Sequence, residues 1–346
     1  MNKIVVVGSD PRLIGGAETF SRTLIDIFDN IYFVSLYRDV ENQIFDVENV
    51  HTVFDKSLLG RLINKLSKGL FPSYIMKRFI ENINPNVVIL NSPLYYPTVR
   101  NVENIILRQH TCTEMFWEMR VQFNRDESLL SEVKENSHVV ALSPQEKYLL
   151  VNEMGFLPEK VSIIRNSCKI PRVNFEKVSG NKLVMINRFD NEIKRMDLAI
   201  NAMSLLPDYE LHIYGSGKDY EYIVEISKPH SNVYIHKSTN DVVAVLDSSS
   251  ILINCSEFEG YPITCIEACR RGLPVLVRNT FSSAQDIVDG NGVILERHWN
   301  PTSFADAVIH ISGNYSAMSR RSIYLSSRFD PEVINKEWSD LVNRIS

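Results

Sequence analysis

Two glutamates, Glu259 and Glu267, stand with seven residues between them in the segment SEFEGYPITCIEACRRGLP, Ser256 to Pro274. A Gly-Tyr-Pro turn follows the first glutamate and opens a short helical pattern, which Gly272 and Pro274 close. Free backbone N–H groups at a helix start suit an anionic ligand. Glutamates are also common near helix starts, where they face the positive end of the helix dipole. The pair therefore indicates a site only if other residues support it.

Two cations follow another apolar run of the sequence. Leu183–Ile186 leads into Asn187, Arg188 and, six residues later, Lys194. Arg188 can donate to two phosphate oxygens at once, and Lys194 can act as a point charge. If both apolar runs are strands of one parallel sheet, the cations and the glutamates share its carboxyl edge, where ligands bind. Alone, such cations are commonly just solvated.

Glycines follow two further apolar runs. Ile4–Val7 leads to the pair Gly15 and Gly16 and then to a helical pattern, which fits either an anion-binding turn or a simple tight turn. The spacing matches neither a dinucleotide-binding fingerprint nor a P-loop. In the second half, the run LHIYGSG ends in Gly215 and Gly217, which allow a close approach of backbone to a ligand.

Length and composition limit the possible classes of protein. A chain of 346 residues predicts two domains, and a net charge of −5 gives no general attraction to nucleic acid. We find no run of eighteen apolar residues, and the first apolar run is too short for a signal peptide, so we expect a cytoplasmic protein. Cys265 and Cys269 could be a metal pair, but without further ligands buried free thiols are the better interpretation. We therefore expect no metal site.

Short apolar runs alternate with helical patterns throughout, which predicts two doubly wound parallel sheets. A polar, proline-bearing stretch at Asn166–Asn181 predicts the linker, and a helical face near the C-terminus predicts a final helix. The predicted strands are Ile4–Val7, Ile31–Ser35, Val87–Asn91, Ile105–Arg108, Val139–Leu142, Leu183–Ile186, Leu211–Tyr214, Val233–Ile235, Ile251–Asn254 and Val275–Val277.

One basic segment interrupts the overall acidity, from Lys56 to Arg78. It contains six Lys and Arg residues and no acid, and its leucines and isoleucine share a helical face. A basic amphipathic helix suits an anionic membrane surface. An ordinary surface helix of the first domain explains the pattern as well.

Taken together, these segments resemble the retaining glycosyltransferases of family 4, which have the GT-B fold of two facing Rossmann-like domains. The resemblance spans the chain and is most specific in its second half. It is carried by GGAE (Gly15–Glu18), VVALSPQEKYLL (Val139–Leu150), VSIIRNS (Val161–Ser167), NRFDNEIKRMDLAI (Asn187–Ile200), LHIYGSG (Leu211–Gly217), EGYPITCIEA (Glu259–Ala268) and RFDPEVINKEW near the C-terminus.

The resemblance implies an acceptor-binding domain over residues 1–168, a nucleotide-sugar-binding domain over 169–328 and a final helix, 329–346, that returns to the first domain. It implies that Arg188 and Lys194 neutralise the donor diphosphate, that Glu259 contacts the transferred sugar and that Glu267 binds the ribose hydroxyls. His110 occupies the place of the active-site histidine of the family. The remaining implied donor-binding residues are Gly16, Gly215, Gly260, Tyr261, Pro262, Ile263 and Thr264.

These roles imply transfer of a hexose or N-acetylhexosamine from a nucleotide sugar, most simply a UDP-sugar, without metal or other cofactor. Front-face attack fits retention best, because Glu267 is assigned to the ribose and no carboxylate pair suited to double displacement is left. Expected partners are the donor and a glycan, lipid-linked or teichoic-acid-type acceptor. The segments at Asn91–Tyr96 and Thr111–Phe123 are expected to face that acceptor. A sugar-nucleotide epimerase, a phosphorylase or a non-catalytic nucleotide-sugar-binding subunit remain alternatives.

Overall fold

The computed structural model describes residues 2–13, 16–39, 42–55, 62, 66, 70–111, 127–175, 177 and 179–346. The chain forms two compact units, the first made of Met1–Ser167 with Glu332–Ser346 and the second of Cys168–Pro331. Each unit is built on its own parallel sheet.

The first unit contains a seven-stranded sheet in the order β3-β2-β1-β4-β5-β6-β7. Its strands are β1 (Ile4–Val7), β2 (Ile31–Arg38), β3 (Val50–Asp55), β4 (Val87–Leu90), β5 (Ile105–Arg108), β6 (Ser137–Ala141) and β7 (Val161–Ile163). The α-helices described between them are α1 (Gly16–Ile25), α2 (Leu70–Ile83), α3 (Glu127–Asn136) and α4 (Pro144–Tyr148). Short 3₁₀ turns span Pro93–Thr98 and Pro158–Lys160, and a π-helical turn spans Leu149–Glu153.

The second unit contains a six-stranded sheet in the order β10-β9-β8-β11-β12-β13. Its strands are β8 (Lys182–Arg188), β9 (Glu210–Ser216), β10 (Val233–Lys237), β11 (Ile251–Asn254), β12 (Val275–Arg278) and β13 (Gly292–Leu295). Its helices are α5 (Asn191–Lys194), α6 (Met196–Ala202), α7 (Tyr220–Ser227), α8 (Val242–Asp247), α9 (Ile263–Arg270), α10 (Ala284–Ile287), α11 (Pro301–Gly313) and α12 (Tyr315–Ser326), with 3₁₀ turns at Met203–Leu205 and Ser327–Phe329.

The central strands are buried on both faces because their sequences are continuous apolar runs. In β1, Val5 and Val7 belong to one core cluster and Ile4 and Val6 to the cluster on the other face. In each sheet the strand order reverses beside the first strand, at β1/β4 and at β8/β11. The carboxyl ends of these strand pairs are the positions where α/β sheets bind ligands.

The final helix, α13 (Pro331–Ile345), packs in the first unit. Its Trp338 is 1% exposed and lies against Phe20 of α1, with 5.2 Å between ring centroids. Two contacts keep the residues before it in the second unit, which therefore extends past the predicted limit at residue 328. The Cys168 N–H donates to the Phe329 carbonyl at 3.0 Å, and Arg270 forms an ion pair with Asp330.

The predicted α/β architecture of two Rossmann-like parallel sheets is confirmed. Three strands escaped prediction: β3, β7 and β13. All three lie at a sheet edge, and most residues of β7 and β13 are only partly buried. Within the described residues, no helix is long and apolar enough to cross a bilayer.

Candidate active site

Lys194 and Glu259 form an ion pair in the second unit, with 2.5 Å between Nζ and Oε1. Lys194 is the last residue of α5, and Glu259 lies in the turn between β11 and α9. The Ser256 hydroxyl also donates to Glu259 Oε1, at 2.7 Å. Both charged side chains are less than 20% exposed, so solvent screens the pair weakly. Two predicted site residues are thus brought together at the carboxyl edge of the sheet.

Arg188, the last residue of β8, lies at the same edge, and its side chain is 67% exposed. Its guanidinium is 3.6 Å from the Asp190 carboxylate, which also receives Lys218 Nζ at 3.2 Å. Lys218 was not predicted as a site residue, although it directly follows Gly217 at the end of β9. Lys218 Nζ also lies 3.9 Å from the Glu192 carboxylate. Arg188 and Lys218 are thus paired with two carboxylates, and an arriving phosphate competes with these for the two cations.

Hydrogen bonds fix the turn between Glu259 and helix α9. The Ser283 hydroxyl donates to the Gly260 carbonyl at 2.6 Å, and the Tyr261 hydroxyl donates to Asp286 at 2.9 Å. Gly260, Tyr261 and Pro262 are buried, while Ile263 and Thr264 are partly exposed. No side chain caps the helix, which begins after Pro262. Its first N–H groups are consequently available to an anion.

Glu267, one turn into α9, has neither an ion pair nor a hydrogen bond from its carboxyl among the contacts of the described residues. Burial raises the pKa of Glu267 to about 7. Glu267 is partly exposed, so hydrogen-bond partners for its carboxyl can come from outside the described residues. Hydroxyl groups of a ligand can supply those partners.

Glu257 belongs to a cluster that the sequence did not reveal. Its carboxylate accepts from Arg278 at 2.7 Å and Arg297 at 2.9 Å, and Arg195 lies 3.7 Å away. Burial by itself raises the pKa of Glu257, but the hydrogen bonds from Arg278 and Arg297 outweigh it and lower the pKa. The Glu257 N–H also donates to the Ile193 carbonyl at 2.7 Å. The cluster thus ties the Glu259 loop to helix α5, beside Lys194.

The two predicted donor-binding glycines outside the turn have different surroundings. A Cβ on Gly215 would lie 1.9 Å from the Asn187 carbonyl oxygen, so pairing of β8 with β9 requires glycine there. A Cβ on Gly16, the first residue of α1, would have no heavy atom of the described residues within 4 Å. Packing therefore explains Gly215 and leaves Gly16 unexplained.

His110 follows β5 in the first unit. Its Nε2 lies 2.7 Å from Asn91 Oδ1, its Nδ1 contacts Arg108 Nη1, and its ring packs edge-on against Phe20. Burial, and then the charge of Arg108, lower the pKa of His110 well below its usual value. His110 is therefore neutral at physiological pH.

Several expectations fall outside the described residues. Lys56–Arg78 is described only at Leu62, Leu66 and from residue 70 onward, and the Thr111–Phe123 segment only at its first residue. Asn91–Tyr96 is described, and there Tyr96 is 2% exposed. Tyr96 consequently packs in the core instead of presenting its ring to an acceptor. Cys265 and Cys269 are buried free thiols, as expected.

The sequence of the second unit is similar to that of a known family. The profile of the family described as "Glycosyl transferases group 1" matches residues 167–324, which include most of the second unit and slightly less than half of the chain.

Three relatives show how far the sequence similarity of this chain extends. The chain is 26% identical over 215 residues to an uncharacterized glycosyltransferase of Haemophilus influenzae, covering 59% of this chain and 60% of the relative. It is 26% identical over 184 residues to the poly(glycerol-phosphate) alpha-glucosyltransferase of Bacillus subtilis, covering 51% of this chain and 27% of the relative. It is 22% identical over 297 residues to the poly(ribitol-phosphate) alpha-N-acetylglucosaminyltransferase of Staphylococcus aureus, covering 78% of this chain and 58% of the relative. The matches thus span less than two thirds of these relatives.

Solved structures extend the similarity in fold to nearly the whole chain. The lipopolysaccharide outer core galactosyltransferase WaaB superposes with a TM-score of 0.75 at 16% identity, over 99% of both chains. Alr3699/HepE of Anabaena, solved with UDP and glucose, gives a TM-score of 0.75 at 13% identity, over 99% of this chain and 100% of that one. The expected GT-B class of fold is thereby supported.

Proposed function

We propose that this protein is a retaining glycosyltransferase that moves a hexose or N-acetylhexosamine from a nucleotide sugar to a glycan or polymer acceptor. The observation that carries the proposal is the arrangement around α9 in the second unit. There the Lys194–Glu259 ion pair, the uncapped start of α9 and the carboxyl of Glu267, which no described residue hydrogen-bonds, belong to one turn and the helix after it. In this proposal the ion-paired Glu259 binds the sugar, the helix start binds the diphosphate, and Glu267 binds the ribose of a nucleotide sugar.

Each group has a role in this proposal. Arg188, Lys194 and the N–H groups at the start of α9 stabilise the diphosphate as it departs, and one preorganised donor of this kind contributes about 3 kcal/mol. Glu259, oriented by Lys194 and Ser256, accepts hydrogen bonds from sugar hydroxyls. Glu267 accepts from the ribose hydroxyls. The cations supply the charge stabilisation that a metal ion supplies elsewhere, so we propose a metal-independent, front-face transfer.

The donor and acceptor are proposed from the relatives and from general chemistry. UDP is named with the Anabaena structure, which supports a UDP-sugar as donor. The Bacillus and Staphylococcus relatives are named for glycosylation of poly(glycerol-phosphate) and poly(ribitol-phosphate), which supports a teichoic-acid-type or other cell-surface acceptor. We propose that the protein acts at the cytoplasmic face of a membrane, where such acceptors are built.

A product assay tests the proposal. Purified protein is incubated with UDP-, GDP- or ADP-sugars, with polyol-phosphate polymer or lipid-linked glycan, with and without EDTA. We expect sugar transfer from one donor class, unchanged by EDTA, and an α-linked product from an α-linked donor. Epimerised or phosphorolysed donor in the absence of acceptor supports the alternative enzymes. Donor binding without turnover on any acceptor supports a binding subunit.

Membrane docking through Lys56–Arg78 is a separate part of the proposal. Of the described residues there, Leu66 is 74%, Tyr74 56% and Phe71 46% exposed. Exposed apolar side chains beside basic residues favour an anionic bilayer surface. Sedimentation with vesicles of anionic lipid, compared with neutral phosphatidylcholine vesicles, tests this. Equal recovery in both pellets contradicts it.

A further inference from the structure

Arg108, the last residue of β5, is a buried arginine without a carboxylate partner in the described part of the chain. Arg108 is 2% exposed, and its guanidinium carbon lies 4.2 Å from the centre of the Phe20 ring. Its acceptors are neutral: the Gln109 carbonyl at 3.0 Å, the Asn166 side chain and His110 Nδ1. Burying such a charge is costly, so a local benefit is expected.

The contact with His110 determines which imidazole nitrogen carries the proton. A guanidinium has no lone pair to offer and can only donate, so Nδ1 must accept. The neutral ring then carries its hydrogen on Nε2, which donates to Asn91 Oδ1 at 2.7 Å. The tautomer is therefore set by Arg108 and not by the ligand.

Further hydrogen bonds connect Asn91 to side chains that follow β1 and lie in α1. Asn91 Nδ2 donates to Ser9 Oγ at 2.6 Å and lies 3.3 Å from Ser21 Oγ. Ser21 donates to the Ala17 carbonyl in the first turn of α1, at 2.9 Å. Because Ser9 follows β1 and Asn91 follows β4, this chain crosses the point where the strand order reverses. It connects His110 to the helix that begins at Gly16.

None of the described groups that contact the His110 ring carries a negative charge. Arg108 comes from β5, Asn91 from the end of β4 and Phe20 from α1, and the charge that acts on the ring is that of Arg108. Burial acts in the same direction as this charge. Protonation of the ring would place two positive groups in contact.

We propose that Arg108 is a positioning residue that holds His110 in the neutral form protonated on Nε2, so that His110 offers substrate a hydrogen-bond donor and not a base. The inference rests on the proposed transferase function for its purpose, but its structural content concerns the free protein. A substrate oxygen that reaches Nε2 replaces Asn91 as the acceptor. Proton removal from the acceptor hydroxyl must then fall to another group, such as the departing phosphate.

Nitrogen NMR of the free protein tests this. Protein labelled with ¹⁵N-histidine is titrated from pH 5 to pH 8, and His110→Asn identifies the signals of the ring. In the wild type we expect the Nε2–H tautomer throughout, without titration. In Arg108→Met we expect the pKa of His110 to rise toward its ordinary value without reaching it, because burial remains, and we expect the neutral ring to populate both tautomers. Arg344→Met, an arginine that hydrogen-bonds Ser162 at 3.0 Å in the same unit, should leave these signals unchanged.

A wild-type His110 that carries its proton on Nδ1, or that titrates near 6.5, overturns the inference. So does an Arg108→Met spectrum identical to wild type. If Arg108→Met does not fold, Arg108→Lys, which keeps a charge and one donor, takes its place. The wild-type spectrum decides the tautomer in either case.

Transfer assays separate this inference from the proposed function. Arg108→Met should lose activity more steeply than wild type as the pH falls, because its His110 is protonated more readily, and Arg108→Lys should restore part of the loss. The expected spectra without any transfer contradict the proposed function alone. Transfer by a protein whose His110 has the other tautomer contradicts the inference alone.

Discussion

Replacing Glu267 with glutamine should stabilise the protein at pH 8 while weakening donor binding. Burial raises the pKa of Glu267 from an ordinary 4.5 to about 7. Between these values the unfolded chain releases a proton that the folded chain keeps, so stability falls as the pH rises through this window. Each pKa unit corresponds to 1.36 kcal/mol, so the ionised carboxylate destabilises the folded protein by about 3 kcal/mol above pH 7. Glutamine fills the same space without that charge.

Urea denaturation at pH 5 and pH 8 measures this difference. We expect Glu267→Gln to exceed wild type by up to about 3 kcal/mol at pH 8 and by much less at pH 5. Glu296→Gln, an exposed glutamate in the same unit, is the control and should show no such dependence. Equal stability of Glu267→Gln and wild type at both pH values would refute the reasoning.

The same variant tests the assigned role in binding. A hydrogen bond to a charged group contributes about 1.5 to 3 kcal/mol, so loss of the carboxylate should weaken donor binding roughly 10- to 100-fold. Wild-type affinity for the donor should increase as the pH rises through 7, because hydroxyl donors favour the carboxylate. Calorimetric titration with the nucleotide sugar measures both effects. A stabilised variant with undiminished affinity would remove Glu267 from the site.

Three further predictions follow from the packing and from the site. Glu259→Ala and Arg188→Ala should nearly abolish transfer with an unchanged circular dichroism spectrum; activity within about twofold of wild type would contradict the site assignment. Trp338→Ala should cost about 3 to 5 kcal/mol in the first unit, measured by denaturation, because it empties a fully buried position. Gly215→Ala should lower the melting temperature, whereas Gly16→Ala should leave it unchanged and reduce donor affinity; the reverse order would contradict the assigned surroundings.

Sequence reasoning identified the fold well because the central strands are continuous apolar runs with turn residues between them. It missed β13 because the apolar run Val293–Leu295 is only three residues long, too short to be told from a helical segment by its pattern. That omission also hid the Glu257 cluster, since Arg297 follows β13 and Arg278 ends β12. A carboxylate that binds several arginines is assembled by tertiary contacts and has no fixed spacing in sequence.

Motif residues were easier to identify than their partners. Glu259 and Lys194 were chosen separately, and only the structure joins them in one ion pair. Arg108 was not chosen at all, although it stands two residues before His110, because a lone arginine at a strand end resembles any solvated cation. Its burial at 2% exposure is a property of the folded sheet.

The position of the final helix affects how the chain folds during its synthesis. Ile334, Trp338, Leu341 and Val342 complete a core cluster that begins with Ile4 and Val6. A ribosome makes about 5 to 20 residues per second. This core cluster of the first unit is therefore completed only after residues 331–345 have been synthesised. The second unit can collapse in the meantime, which reverses the usual order of domain folding. Until then the nascent chain exposes apolar surface, and chaperones that recognise such surface are expected to bind it.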